Sequence, residues 1–109
     1  MQYRLVPFCL FLSEFAAKLR RHHGILCELM EPDFGLVDHM CSFGILSALA
    51  ADEINSAMSS YSRNEIILRN VIDCDSRDKH EAFLKALTQT RQQHIVNFID
   101  ADGGNLACV

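Results

Sequence analysis

Apolar residues in this chain recur every three or four positions, in short runs separated by glycine, proline or clusters of serine and aspartate. That spacing gathers them on one side of an α-helix, whereas a half-buried strand requires strict alternation, which only residues 5–12 allow. Six such runs follow one another along 109 residues, of which 50% are hydrophobic. A chain of this length buries roughly two-thirds of its unfolded surface around one core. The pattern therefore predicts an all-α domain, a bundle of six antiparallel helices with short connections.

The first predicted helix has an N-cap at Ser13 and a stop at Pro32. We expect any kink in this helix at Gly24, because glycine inside a helix costs about 1 kcal/mol relative to alanine. Its apolar face comprises Leu12, Phe15, Leu19, Leu26, Leu29 and Met30. We divide the chain into an apolar N-terminal extension (1–12), the helical domain (13–102) and a short polar tail (103–109).

Local signals also bound the next two helices. Asp33 is the predicted N-cap of the second, and Gly44 ends it as a left-handed C-terminal residue. Ser47 is the predicted N-cap of the third, whose apolar spacing continues to Tyr61.

Three further helices complete the bundle. Ser62 and Glu65 form an S-x-x-E capping box that opens the fourth helix. The fifth spans 77–89, and the sixth spans about 92–101, before a glycine pair that ends it.

The charges are distributed unevenly. Residues 32–61 contain no lysine or arginine and four acids, namely Asp33, Asp38, Asp52 and Glu53. Every base lies before or after this segment, and the formal net charge is −4. An acidic chain without a basic cluster argues against nucleic-acid binding, which depends on a positive field.

Recognisable catalytic and metal-binding motifs are absent. His23 and Cys27 stand four residues apart on a helix, but a zinc site needs three or four ligands, and no second pair follows. The DADGGN run beginning at Asp100 lacks the later acids of a calcium loop. We found no phosphate-binding loop and no nucleophile signature. We therefore expect no enzymatic activity and no cofactor.

Cysteine usage and hydropathy indicate a compartment. Five cysteines without a C-x-x-C pair indicate reduced thiols in a cytosolic or nuclear compartment, and we expect the cytoplasm. The apolar run at the N-terminus contains Pro7, meets Glu14 and lacks a clear cleavage site, so we do not expect a signal peptide. No stretch reaches the roughly twenty apolar residues of a membrane span.

The pattern as a whole resembles the caspase recruitment domain (CARD), a six-helix member of the death-domain superfamily. The resemblance rests on LVDHMCSFGILS at 36–47, on Asp52-Glu53-Ile54 in the third helix, and on the start of the fourth helix at Ser62. It extends to HEAFLKALTQTRQQHIVNFI at 80–99, and covers roughly residues 14–102. The unusually apolar first dozen residues and the CDSRDKH loop depart from the family pattern.

The resemblance implies homotypic association, in which a basic face on the first and fourth helices meets an acidic face on the second and third helices of another molecule. The implied acidic face comprises Asp38, Asp52 and Glu53. The implied basic face comprises Arg20, Arg21, Arg63 and Arg69. By helical geometry, Ile66 is expected to project among Arg63, Arg69 and Asn70 on the polar face of the fourth helix, as a candidate apolar centre for that contact.

The resemblance further implies a cytosolic adaptor or regulator in apoptotic or inflammatory signalling. Its partners would be CARD-containing caspases, scaffolds of the apoptosome or inflammasome type, and adaptors, or further copies of the chain in a helical assembly. One alternative is that the chain is the prodomain of a larger caspase or a fragment of a scaffold. A second alternative, from another class, is a small helical metal-binding or redox protein that uses His23, Cys27 and other thiols.

Overall fold

The described part of the chain consists of α-helices joined by short connections and contains no strand. The computed structural model describes residues 6–74 and 76–103, with side chains from Glu14 onward. The helices are α1 (Val6–Arg21), α2 (His23–Leu29), α3 (Leu36–Ser42), α4 (Ala48–Ser56), α5 (Ser60–Ile72), α6 (Arg77–Gln89) and α7 (Gln93–Asp100). The all-α prediction is confirmed, and residues 6–12, where a strand was conceivable, are helical.

Residues 6–74 and 76–103 form seven helices instead of the six expected, because the first predicted helix is broken at His22. The backbone of His22 leaves the helical region (φ −109°, ψ 20°), and its ring packs edge-on against Phe98, with centroids 5.2 Å apart. We expected the break at Gly24, but it falls two residues earlier. It also turns α2, so that Leu29, predicted in the core, is 38% exposed.

Three predicted N-caps are wrong. Ser13 lies inside α1, which begins at Val6. The N-cap of α3 is Gly35, at φ 99°, because the helix begins only at Leu36, and the carboxylate of Asp33 accepts from Arg63 instead. The N-cap of α5 is Ser59 rather than Ser62, and its hydroxyl accepts the N–H of Ser62 at 3.1 Å.

Other boundaries agree with the local signals. Gly44 has the expected left-handed conformation (φ 79°). Ser47 caps α4 by accepting an N–H three residues on, at 3.1 Å. The spans of α6 and α7 match their predictions to within one residue. The third predicted helix, however, ends at Ser56 rather than Tyr61, and Met58 in the connection is 94% exposed.

Helix α5 lies at the centre of the bundle and contacts α1, α2, α4 and α6, while α3 packs on α4 and α6, and α7 on α6. Its buried residues Ile67, Leu68 and Val71 are fully inaccessible to solvent. Burying side chains of this size contributes roughly 1.5–3 kcal/mol each. The central helix therefore provides a rigid base for the helices around it. Residues 1–5 and 104–109, which belong to the predicted extension and tail, lie outside the described residues.

Candidate protein-interaction surface

Asp38 occupies the outer side of α3. Leu36 and Met40, two positions away on either side, are fully buried, so the helical period turns Asp38 to solvent. The carboxylate borders a depression of about 250 Å³ between α3, α4 and the start of α5, which we call the Asp38 groove. Its lining includes Asp33, Val37, Asp38, Cys41, Asn55 and Arg63.

Asp38 forms no ion pair with any described residue. The one arginine of the groove, Arg63, is held by other groups. Its Nη1 donates to Asp33 Oδ1 at 2.7 Å, and its Nε donates to the carbonyl of Ala57 at 3.3 Å. Arg63 thus connects the segment before α3 to the segment before α5, and leaves the negative charge of Asp38 uncompensated.

The negative charge of Asp38 affects the Cys41 thiol, which also lines the groove. Burial raises the pKa of the half-buried Cys41 thiol, and the Asp38 carboxylate raises it further. A thiolate would have to form in a poorly solvated place beside an existing negative charge. Cys41 therefore stays a neutral thiol, which makes it a weak nucleophile.

The outer face of α4 continues the acidic surface. Asp52 is exposed and forms no ion pair with a described residue. Glu53 differs, because both of its carboxylate oxygens accept from Arg69 Nη2, at 2.9 and 3.1 Å. Both side chains of this pair are more than half exposed, so it adds at most about 0–1 kcal/mol to stability.

A second depression, of about 530 Å³, lies between α5 and the pair α1–α2, and we call it the Arg20 groove. Arg20 is exposed there and forms no ion pair with a described residue. Ile66 is half-buried, packs on the core and lines the groove. The groove is also lined by Glu65, Arg69, Ile72 and Asp73.

The structure does not bring the four predicted arginines onto one face. Arg20 and Arg69 line one groove together with Ile66, whereas Arg63 lines the Asp38 groove. Six residues separate Arg63 from Arg69, and at 3.6 residues per turn that places them about 120° apart around α5. Of the neighbours expected for Ile66, Arg69 lines the same groove and Asn70 donates to the Ile66 carbonyl, whereas Arg63 lines the other groove.

Arg21 contacts the end of the bundle instead. Its Nη2 donates to both carboxylate oxygens of Asp102, at 2.9 and 3.0 Å, and His22 Nε2 lies 3.0 Å from Oδ1. Hydrogen bonds from Arg21 and then His22 hold the pKa of Asp102 below its usual range. This cluster fixes the turn after α7 to the break between α1 and α2.

The alternative of a metal or redox site finds no support among the described residues. His23 and Cys27 are neighbours, with Sγ 3.8 Å from either ring nitrogen, but no group of three potential metal ligands occurs in the described ranges. Burial, with smaller contributions from Glu65 and Glu28, raises the pKa of Cys27 to about 11. A thiol of this kind is inert at neutral pH.

Cys27 is accordingly expected to react about 100-fold more slowly with iodoacetamide than an ordinary thiol, from its reduced thiolate fraction alone. The measurement is site-resolved labelling by mass spectrometry at pH 8, in native protein and in urea. The half-buried Cys74 is the internal control. Equal labelling rates of Cys27 in the native and unfolded states would contradict the prediction.

Sequence reasoning missed the residues that position the Asp38 groove. Asp33 holds Arg63, although its place before a helix suggested a capping role. Asn64 and Gln92 are buried and bind the backbone around the end of α2. A buried amide can be found from sequence only as a polar residue within an otherwise apolar period, which is a weak signal.

Comparison with protein-family models, with curated proteins and with solved structures found no match to this chain. None of the helices in the described ranges combines the length and the apolar character needed to cross a bilayer.

Proposed function

We propose that this chain is a CARD-like protein-interaction module, an adaptor or regulator that binds other CARD proteins in the cytoplasm. The observation that carries the proposal is the Asp38 carboxylate, which is exposed at a groove and forms no ion pair with a described residue. Such a group is well placed to pair with a cation on another molecule.

The arrangement of helices is consistent with the death-domain-like bundle that the proposal requires. Counted as two halves of one broken helix, α1 and α2 make six units with α3 to α7, in the order expected from the sequence. Asp38 and Asp52 then lie on the second and third units. Arg20 and Arg69 lie on the first and fourth units. The resemblance places the acidic face on the second and third units and the basic face on the first and fourth.

Replacing Asp38 by arginine is expected to weaken partner binding by about 10- to 100-fold, because charge reversal turns an attraction into repulsion at the centre of the contact. The fold should persist, since Asp38 is exposed and holds nothing else with its carboxylate. Binding is measured by biolayer interferometry against a panel of purified CARD domains from caspases, scaffolds and adaptors, at two salt concentrations.

Asp100→Arg is the matched control, because it makes the same change at an exposed position in the last turn of α7. The proposal predicts a salt-sensitive partner that this control still binds. It fails if no member of the panel binds, or if the Asp38 variant binds as tightly as the wild-type chain.

A further inference from the structure

The ion pair between Glu53 and Arg69 joins the two surfaces that homotypic association would use. Glu53 belongs to the acidic face and Arg69 to the basic one, yet they meet within one molecule through two hydrogen bonds of 2.9 and 3.1 Å. We propose that this pair is an autoinhibitory contact that closes the Arg20 groove to the acidic surface of a second copy. The inference rests on the proposed function.

The charges around the groove support this assignment. The two arginines of the groove, Arg20 and Arg69, share it with Glu65 and Asp73, so the lining has no excess of positive charge. Glu53 adds a further carboxylate from α4 directly on Arg69. With Glu53 included, an approaching carboxylate therefore meets three acids and two arginines at the groove, and interactions act over a Debye length of about 8 Å.

The acidic surface is not closed in the same way. Asp38 and Asp52 form no ion pair with a described residue. The one arginine of the Asp38 groove, Arg63, is already engaged by Asp33 at 2.7 Å. The chain thus offers two unpaired carboxylates to a partner, whereas of the two arginines in the Arg20 groove Arg69 is paired with Glu53 and Arg20 alone is unpaired.

This asymmetry has a consequence for assembly. A head-to-tail contact propagates only if each copy offers both complementary surfaces. A molecule whose Arg20 groove is closed in this way can dock through Asp38 onto a foreign basic surface, but accepts the next copy more weakly. The wild-type chain therefore propagates an assembly less readily than a chain without these carboxylates.

Once the Arg20 groove is open, we expect it to bind the Asp38 surface of a second copy of the chain. Its carboxylate has the sign that Arg20 and Arg69 would then attract. Ile66 and Ile72 give the groove apolar surface next to those cations. Apolar contact beside a charged pair is the usual composition of a protein interface.

The test is a double variant, Glu53→Gln with Glu65→Gln, which removes two carboxylates but keeps the side-chain shapes. Both residues are exposed, and the Glu53–Arg69 pair is too exposed for its loss to unfold the chain. Sedimentation velocity at low salt is expected to show a monomeric wild-type chain and a double variant that self-associates about ten-fold more tightly or better. Adding Asp38→Arg to the double variant should return it to a monomer.

Glu14→Gln with Asp100→Asn is the matched control, because both acids are exposed and the net charge changes equally. The inference is overturned if the wild-type chain self-associates as strongly as the double variant, or if the double variant and the control behave alike. Circular dichroism verifies that each variant is folded. Loss of partner binding in Asp38→Arg alone tests the proposed function separately, so the two ideas can fail independently.

Discussion

Replacing Asn64 by aspartate is expected to lower the free energy of unfolding by about 3–5 kcal/mol, although the two side chains have nearly the same shape. Asn64 lies on α5 and is fully buried. Its Nδ2 donates to two backbone carbonyls at the end of α2, those of Cys27 at 2.8 Å and Met30 at 2.9 Å. Aspartate would face the same carbonyls with a negative oxygen and no N–H.

The effect should depend on pH, with a sign that follows from burial. Burial among carbonyl oxygens disfavours the charged carboxylate. The pKa of the introduced aspartate is therefore higher in the folded chain than in the unfolded chain. The destabilisation is then full above the folded-state pKa, declines as pH falls, and is smallest below the unfolded-state pKa of about 4. There the protonated carboxyl can again donate one hydrogen bond.

Urea denaturation followed by circular dichroism, at pH 7 and at pH 4, measures both quantities. Asn70→Asp is the control on the same helix, because Asn70 is only half-buried and donates to one carbonyl, that of Ile66. We expect it to cost less than about 1 kcal/mol, since water can solvate the new charge. A cost at position 64 no greater than at position 70 would show that the two bonds to α2 are dispensable.

Asn64 also bears on the candidate interface, because it fixes where α2 ends. The chain continues from Met30 through Glu31 to Asp33, whose carboxylate holds Arg63 at the Asp38 groove. The groove is thus positioned by buried amides that lie outside it. Partner binding should therefore fall in destabilised variants at these positions even though they do not touch the partner.

Helix boundaries set by local chemistry were predictable, and those set by distant contacts were not. Gly44 and Ser47 act through neighbours within a few residues, and both predictions are confirmed. The break at His22 depends on Phe98 and Asp102, which lie far along the chain. Sequence patterning has no means of representing such a contact.

The start of α5 shows a different limit. Residues 59–62 read SSYS, so more than one serine has the chemistry of an N-cap. The S-x-x-E pattern favoured Ser62, yet Ser59 is the residue that caps the helix. The shorter α4 leaves Ser59 at the end of the connection, and only the packing of the two helices decides between the candidates.

The candidate surface was predictable in sign but not in pairing. The sequence shows that residues 32–61 contain no lysine or arginine, and Asp38 and Asp52 form no ion pair with a described residue. It does not show that Arg69 meets Glu53, 16 residues away, or that Arg63 meets Asp33, 30 residues away. The first contact depends on how α4 and α5 cross, and the second on how the connection between α2 and α3 lies against α5. The periodicity of a single helix determines neither.

Replacing Gln92 by alanine is expected to cost about 2–4 kcal/mol and to lower Tm by about 10–20 °C. Gln92 is buried just before α7, and its side-chain amide forms hydrogen bonds with both the backbone N–H and the backbone C=O of Glu31. Its Oε1 accepts the N–H of Glu31 at 2.7 Å, and its Nε2 donates to the Glu31 carbonyl at 2.9 Å. Nε2 also donates to Thr90 Oγ1 at 3.0 Å.

Gln93→Ala separates this role from helix propensity, because Gln93 is exposed and starts the same helix. It should change stability by about 0.5 kcal/mol or less. Amide hydrogen exchange gives the sharper readout, since the Glu31 N–H has its partner in Gln92 and should exchange rapidly once that partner is removed. Continued protection of Glu31 in Gln92→Ala would mean that packing alone holds the segment after α2. The position of Asp33, and with it the wall of the Asp38 groove, would then not depend on this amide.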